Sequence, residues 1–229
     1  MPTIEENFSH VRKAIAAAEQ RFGRAGGAVR LLAVSKGHPA ETLRLAVERA
    51  GQREFGESQV QEALPKVAAL SDHDLTWHFI GPIQSNKTRD IARHFQWAHG
   101  VDRIKIARRL DDQRPAEMPP LNVCIQVNAS GEATKSGVAI TEVPALAEAI
   151  SRLPRLRLRG LMAIPPPLAE FSRQRDAFRQ IREAQARLVA QGWPLDTLSM
   201  GMSGDMEAAI AEGATIVRIG RALFGARPP

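Results

Sequence analysis

One pattern restricts the fold of this chain more than any other: short apolar runs of strand length alternate with helix-length stretches from one end to the other. The runs lie near Leu32, Phe55, Phe79, Ala98, Val123, Leu158, Leu198 and Val217, which makes eight. Between them, apolar residues recur at helical spacing, as in Leu43, Ala46 and Val47, or Phe171, Phe178, Ile181 and Leu188. Eight strands separated by helices predict a single closed (β/α)8 (TIM) barrel over residues 1–229. An extra amphipathic helix precedes it, opened by a Thr3 to Glu6 capping box and carrying Phe8, Val11, Ile15, Ala18 and Phe22. An open doubly wound sheet is the alternative, but no glycine-rich dinucleotide fingerprint follows the first strand. Pro115 to Pro120 reads as a loop and not as a domain boundary, because the alternation continues beyond it.

Composition narrows the class. With 229 residues and 44% apolar content, a barrel of this length needs no disulfide or metal to hold it. The single cysteine, Cys124, lies inside an apolar run and reads as a buried strand residue, which fits a reducing cytoplasm. The polar, acidic start lacks the apolar core of a secretory leader, and no apolar run reaches the roughly 20 residues of a membrane span. A net charge of +6 with arginines spread along the chain and no tyrosine suggests a basic surface with affinity for anions; no nucleic-acid partner is expected. A cytoplasmic monomer is the expectation.

In a barrel every strand exit lies on one rim, where active sites of this fold collect. The exits are Ser35-Lys36, Gly56-Glu57-Ser58, Gly81-Pro82, Asn128-Ala129-Ser130, Met162-Ala163-Ile164, Ser199 to Gly204 and Arg218 to Arg221. Lys36 has two readings: it returns the chain to water, or, at the rim of a mostly apolar site, it loses its proton and attacks a carbonyl. The last two exits also have two readings. Gly201 and Gly204 allow close backbone approach, Ser203 offers a hydroxyl, and a helix follows, which together favour a phosphate; Gly220-Arg221 adds a second turn. Alternatively the glycines only permit a tight turn with Ser203 as N-cap.

A rim lysine opposite a phosphate cradle suits pyridoxal phosphate, which needs an amine for its aldehyde, a phosphate cup and a partner for its ring nitrogen. Arg218, just before the cup, is placed to meet that nitrogen, and an arginine there would keep the ring neutral and weaken it as an electron sink. A cofactor-free aldolase using Lys36 is a competing reading, since a sugar phosphate would fit the same cup.

Specific stretches carry a resemblance. Ala33-Val34-Ser35-Lys36, Phe55-Gly56-Glu57, Trp77 to Lys87, Gly160 to Pro165, Ser199 to Ser203 and Arg218 to Gly225 together resemble the pyridoxal phosphate homeostasis proteins, the YggS and PROSC family, along nearly the whole chain. The resemblance implies a barrel related to the N-terminal domain of alanine racemase, with pyridoxal 5'-phosphate joined to Lys36 as an aldimine. It places the phosphate at Ser203 and the Gly220 turn and Arg218 at the ring nitrogen, with Met200, Gly204 and Arg221 as further cofactor-binding residues. It further implies a role in intracellular vitamin B6 and amino-acid homeostasis without catalytic turnover, with apo pyridoxal-phosphate enzymes as recipients. The chain departs from the family pattern at Ser58-Gln59, where Asn-Tyr is usual, so no cofactor contact is carried onto Ser58. His78 and Lys87 match family motifs but read equally well as a core histidine and a solvated helix-start charge. A pyridoxal-phosphate racemase is the alternative function; against it stand the missing tyrosine and the missing second domain.

Overall fold

The computed structural model describes residues 2–129 and 136–226. Eight parallel strands close into a barrel in sequence order: β1 Arg30–Val34, β2 Glu54–Glu57, β3 Thr76–Phe79, β4 Trp97–Val101, β5 Leu121–Val127, β6 Leu156–Ala163, β7 Thr197–Ser199 and β8 Ile216–Ile219. β8 returns to β1 with Leu32 opposite Arg218, so the first and last exits are neighbours on the rim. That closure lets residues nearly 200 positions apart in a chain of 229 build one site.

The helices follow the alternation. α1 Ile4–Arg21 precedes the barrel, and α2 Ala40–Ala50, α3 Val60–Ala69, α4 Thr88–His94, α5 Ile104–Gln113, α6 Val143–Ser151, α7 Phe171–Ala190, α8 Met206–Ala211 and α9 Arg221–Phe224 each follow one strand. The expected capping box is present: Glu6 N–H donates to Thr3 Oγ1 at 3.2 Å and Thr3 N–H donates to Glu6 Oε2 at 2.8 Å. α8 begins at Met206 with Asp205, not Ser203, at its N-cap.

Two apolar regions result. The main core lies between the barrel and its helices, where Phe8, Phe55, Phe79, Phe95 and Phe178 are buried. Inside the barrel the apolar cluster is small: Trp97, Cys124 and Met162. Burial pushes the Cys124 thiol up to about 12, so it stays protonated and inert, as its strand position suggests. The interior also holds polar groups: His78, His99 and Ser199 are fully buried and Arg218 nearly so.

Candidate functional site

β1 ends at Val34 and the chain turns at once. His38 N–H donates to Ser35 O at 3.1 Å, closing a turn with Lys36 and Gly37 at its centre. Gly37 sits at φ +78°, the left-handed value that a type II turn requires at its third position. A buried ion cluster holds this turn from beneath. Lys66 Nζ donates to Ser35 O at 2.9 Å, to Glu57 Oε1 at 2.7 Å and to Glu62 Oε1 at 2.6 Å. Ser35 Oγ donates to Glu57 Oε1 at 2.6 Å, and Gly37 N–H donates to the Glu62 carboxylate. Burial pushes the Glu57 carboxyl up, and Lys66 and Ser35 only partly pull it back. The backbone on both sides of Lys36 is thereby fixed, while the half-buried Lys36 side chain has no hydrogen-bond or ion-pair partner among the described residues.

Across the mouth, the β7 exit folds tightly onto α8. Gly201 has φ +96°, and a Cβ there would stand 2.6 Å from Ala209 Cβ, so glycine is required. A Cβ on Gly204 would meet nothing within 4 Å, so that residue leaves room at the mouth. Asp205 Oδ1 accepts from Met202 N–H at 2.6 Å, which ties the turn down. The N–H groups of Ser203, Gly204, Gly220 and Arg221 find no acceptor among the described residues. Four free backbone donors on two adjacent turns, with the Ser203 hydroxyl and the Arg221 guanidinium beside them, make an anion cup.

Arg218 forms the floor. Its Nη1 donates to Ser199 O at 2.6 Å and to Ser199 Oγ at 2.9 Å, and its Nη2 donates to Ala163 O at 2.9 Å. All three acceptors are neutral. Burial lowers its pKa to about 10, and Asp205, which acts at longer range, partly opposes that. The guanidinium therefore stays charged at neutral pH, oriented but not neutralised.

A cavity of about 750 Å³ joins these parts, and Lys36, Ser203, Gly204, Arg218, Gly220 and Arg221 all line it. Met200 does not: its side chain is fully buried in the core between barrel and helices. Successive residues past β7 face opposite ways, so with Ser199 turned to the barrel interior Met200 turns outward. Ile164 and Met202, already named among the strand exits, give the cavity an apolar wall with Val34 and Ile80, which the sequence did not single out as site residues, and His38 lies beside them. Ile80 follows the end of β3 directly, which is the signal that marks it as a rim position. Ser58 also lines the cavity, although no contact was carried onto it. His78 is a buried, hydrogen-bonded interior residue, and Ser130 lies outside the described residues. The residues present fit pyridoxal phosphate: an amine, an anion cup and a fixed cationic donor face one partly apolar cavity.

A closed eight-stranded barrel with a lysine after β1 and an anion cup after β7 and β8 defines a class, and residues 6–228 match the family described as the alanine racemase N-terminal domain. Within that class, the chain is 62% identical over 227 residues to the pyridoxal phosphate homeostasis protein of Pseudomonas aeruginosa, covering 99% of this chain and 97% of the relative. It is 54% identical over 230 residues to the protein of the same name from Escherichia coli, covering 99% and 98%. Among solved structures, PipY of Synechococcus elongatus with PLP bound is similar at a TM-score of 0.80 and 40% identity, covering 92% of this chain and all of PipY. The chain belongs to the pyridoxal phosphate homeostasis protein family.

Proposed function

We propose that this protein binds pyridoxal 5'-phosphate reversibly and serves vitamin B6 and amino-acid homeostasis in the cytoplasm without catalytic turnover. Lys36 would hold the cofactor through its aldehyde, the carbonyl chemistry that pyridoxal phosphate supplies when bound. The N–H groups of Ser203, Gly204, Gly220 and Arg221 and the Ser203 hydroxyl hold the phosphate. Arg218 would meet the ring nitrogen as a donor that does not give up its proton, which would leave the ring a poor electron sink. The observation that carries this reading is the convergence on one cavity of a buried arginine with a lysine and four backbone donors that have no partner among the described residues.

Relatives named for pyridoxal phosphate homeostasis, and PipY with PLP bound, support the choice of cofactor over a sugar phosphate. Several features favour holding and release over catalysis. Ser203 and Arg221 are exposed, so the phosphate end is open to water, and the chain has no tyrosine to act as a second base. We read residues 1–229 as one domain working as a monomer, with cofactor-free pyridoxal-phosphate enzymes as recipients. The test is to add pyridoxal phosphate to purified protein and follow absorbance, then add L-alanine and resolve the enantiomers. A near-visible band that borohydride bleaches, with no D-alanine formed, is expected. D-alanine whose formation is lost in Lys36→Ala would make the protein a racemase.

A further inference from the structure

The barrel interior holds a row of polar groups that the cofactor reading does not use. From Arg218 it runs through Ser199, His99 and His78 to Glu54. Ser199 Oγ lies 2.9 Å from Arg218 Nη1 and 2.8 Å from His99 Nδ1. His99 Nε2 lies 2.9 Å from His78 Nδ1, and His78 Nε2 lies 3.3 Å from Glu54 Oε2. His78, His99 and Ser199 are fully buried; Glu54, paired with Arg30, reaches water at the opposite end of the barrel.

The acceptor-only end selects where the protons sit, and the donor-only end is compatible with it. Arg218 can only donate, so Ser199 Oγ accepts from it; the hydroxyl keeps a second lone pair, but only when it turns its own hydrogen to His99 Nδ1 does an N–H of His78 face the Glu54 carboxylate. His99 Nδ1 is then bare, its proton is on Nε2, and that proton is donated to a bare His78 Nδ1. His78 in turn carries its proton on Nε2, facing the Glu54 carboxylate, which can only accept. The acceptor-only carboxylate at one end sets this direction, and the donor-only Arg218 at the other end is compatible with it. The last link is long and poorly aligned, and His78 Nε2 is the one ring nitrogen of the pair without a well-formed hydrogen bond.

The surroundings enforce the same state. The His78 ring stacks on Trp97 with centroids 5.3 Å apart and planes 8° apart, and His99 packs against the same indole. Arg30 and Arg159 lie over the Trp97 ring at 5.1 and 4.9 Å; burial first, and Arg30 with it, oppose a charge on both imidazoles and Arg218 opposes one on His99, while Glu54 pulls His78 the other way without overcoming burial.

We propose that Glu54, His78, His99 and Ser199 are positioning residues: a one-way row of hydrogen bonds that fixes the Arg218 guanidinium and keeps both imidazoles neutral with the proton on Nε2. The row gives Arg218 a fixed position through neutral acceptors, with no carboxylate in hydrogen-bond contact and Asp205 acting only at longer range. A carboxylate placed directly against Arg218 would instead compete for the hydrogens it turns to the cavity. The link to ligand binding rests on the reading of Arg218 as the group that faces the cofactor ring.

Two measurements test the row. Long-range nitrogen–proton correlation spectra of the full, nitrogen-15-labelled chain without cofactor should show His78 and His99 as neutral Nε2–H tautomers at neutral pH. An Nδ1–H tautomer on either ring, or a charged His99, overturns the proposal. For the second, His99→Gln keeps an acceptor for Ser199 and a donor for His78, whereas His99→Leu keeps neither. His99→Leu should weaken pyridoxal phosphate binding on the order of 10-fold, as loss of an orienting outer partner does at metal ligands, with much of it recovered in His99→Gln. Equal binding by the Leu variant and the parent overturns the positioning role; if the Leu variant does not fold, the tautomers decide alone. A parent protein that binds no pyridoxal phosphate would refute the cofactor reading and leave the tautomers to decide the row.

Discussion

Acidification should unfold this protein through its interior histidines, and His99 isolates the effect. It is fully buried, and burial, with His78, Arg218 and Arg30 adding to it, holds its pKa well below the ordinary imidazole value. A base whose folded pKa is depressed takes up its proton only in the unfolded chain. Its contribution is therefore intact above the unfolded pKa of about 6.5 and is lost as pH falls through that value. If His99 stays neutral in the fold down to about pH 5, stability there falls by RT ln(1 + 10^1.5), about 2 kcal/mol, relative to pH 8. His78, lowered in the same direction by burial, adds to the loss. The assay is urea unfolding followed by tryptophan fluorescence at several pH values for the parent and for His99→Gln, which keeps the neighbours paired but cannot titrate. Carboxylates and the other histidines act alike in both proteins and cancel. The parent should lose about 2 kcal/mol more than the variant between pH 8 and pH 5. Parallel curves would mean that His99 is charged or solvated in the fold, and would refute the reasoning.

Two further outcomes follow from the rim. Ser203→Ala removes one donor to a charged phosphate and should weaken pyridoxal phosphate binding by about 1.5–3 kcal/mol, read by absorbance titration; unchanged affinity would exclude the hydroxyl from the cup. Lys66→Met leaves the buried Glu57 carboxyl without its cation and should destabilise the protein by about 3 kcal/mol at pH 8 in urea unfolding. Because the raised folded pKa of Glu57 lets the fold hold a proton at higher pH than the unfolded chain does, that loss should shrink toward pH 5.

Much of this was legible from the chain, because the signals were local. Each strand shows as a short apolar run ending in a turn residue, so all eight were placed and the barrel followed from their count. Lys36, Ser203, Gly204, Arg218, Gly220 and Arg221 sit at strand exits, and closure of the barrel carries exits to one rim. What stayed hidden depends on register and on which way a side chain faces. Met200 belongs to a rim segment, but the residue before it, Ser199, faces the interior, which turns Met200 to the core. The contact of His99 with Ser199 joins residues 100 positions apart on β4 and β7, strands that are not neighbours, so only a closed interior brings them together. Nor does sequence periodicity reveal Lys66: it lies on the buried face of α3, at a position where an apolar residue would be expected, and its role appears only beneath the turn at Lys36.

The central claim is that Lys36, and no other lysine, holds pyridoxal phosphate. Borohydride reduction of the loaded protein, followed by digestion and mass spectrometry, tests it most directly. The account predicts the pyridoxyl mass on the peptide that contains Lys36 and no label in Lys36→Ala. Label on Lys87 or Lys135 with the Lys36 peptide unmodified would contradict it.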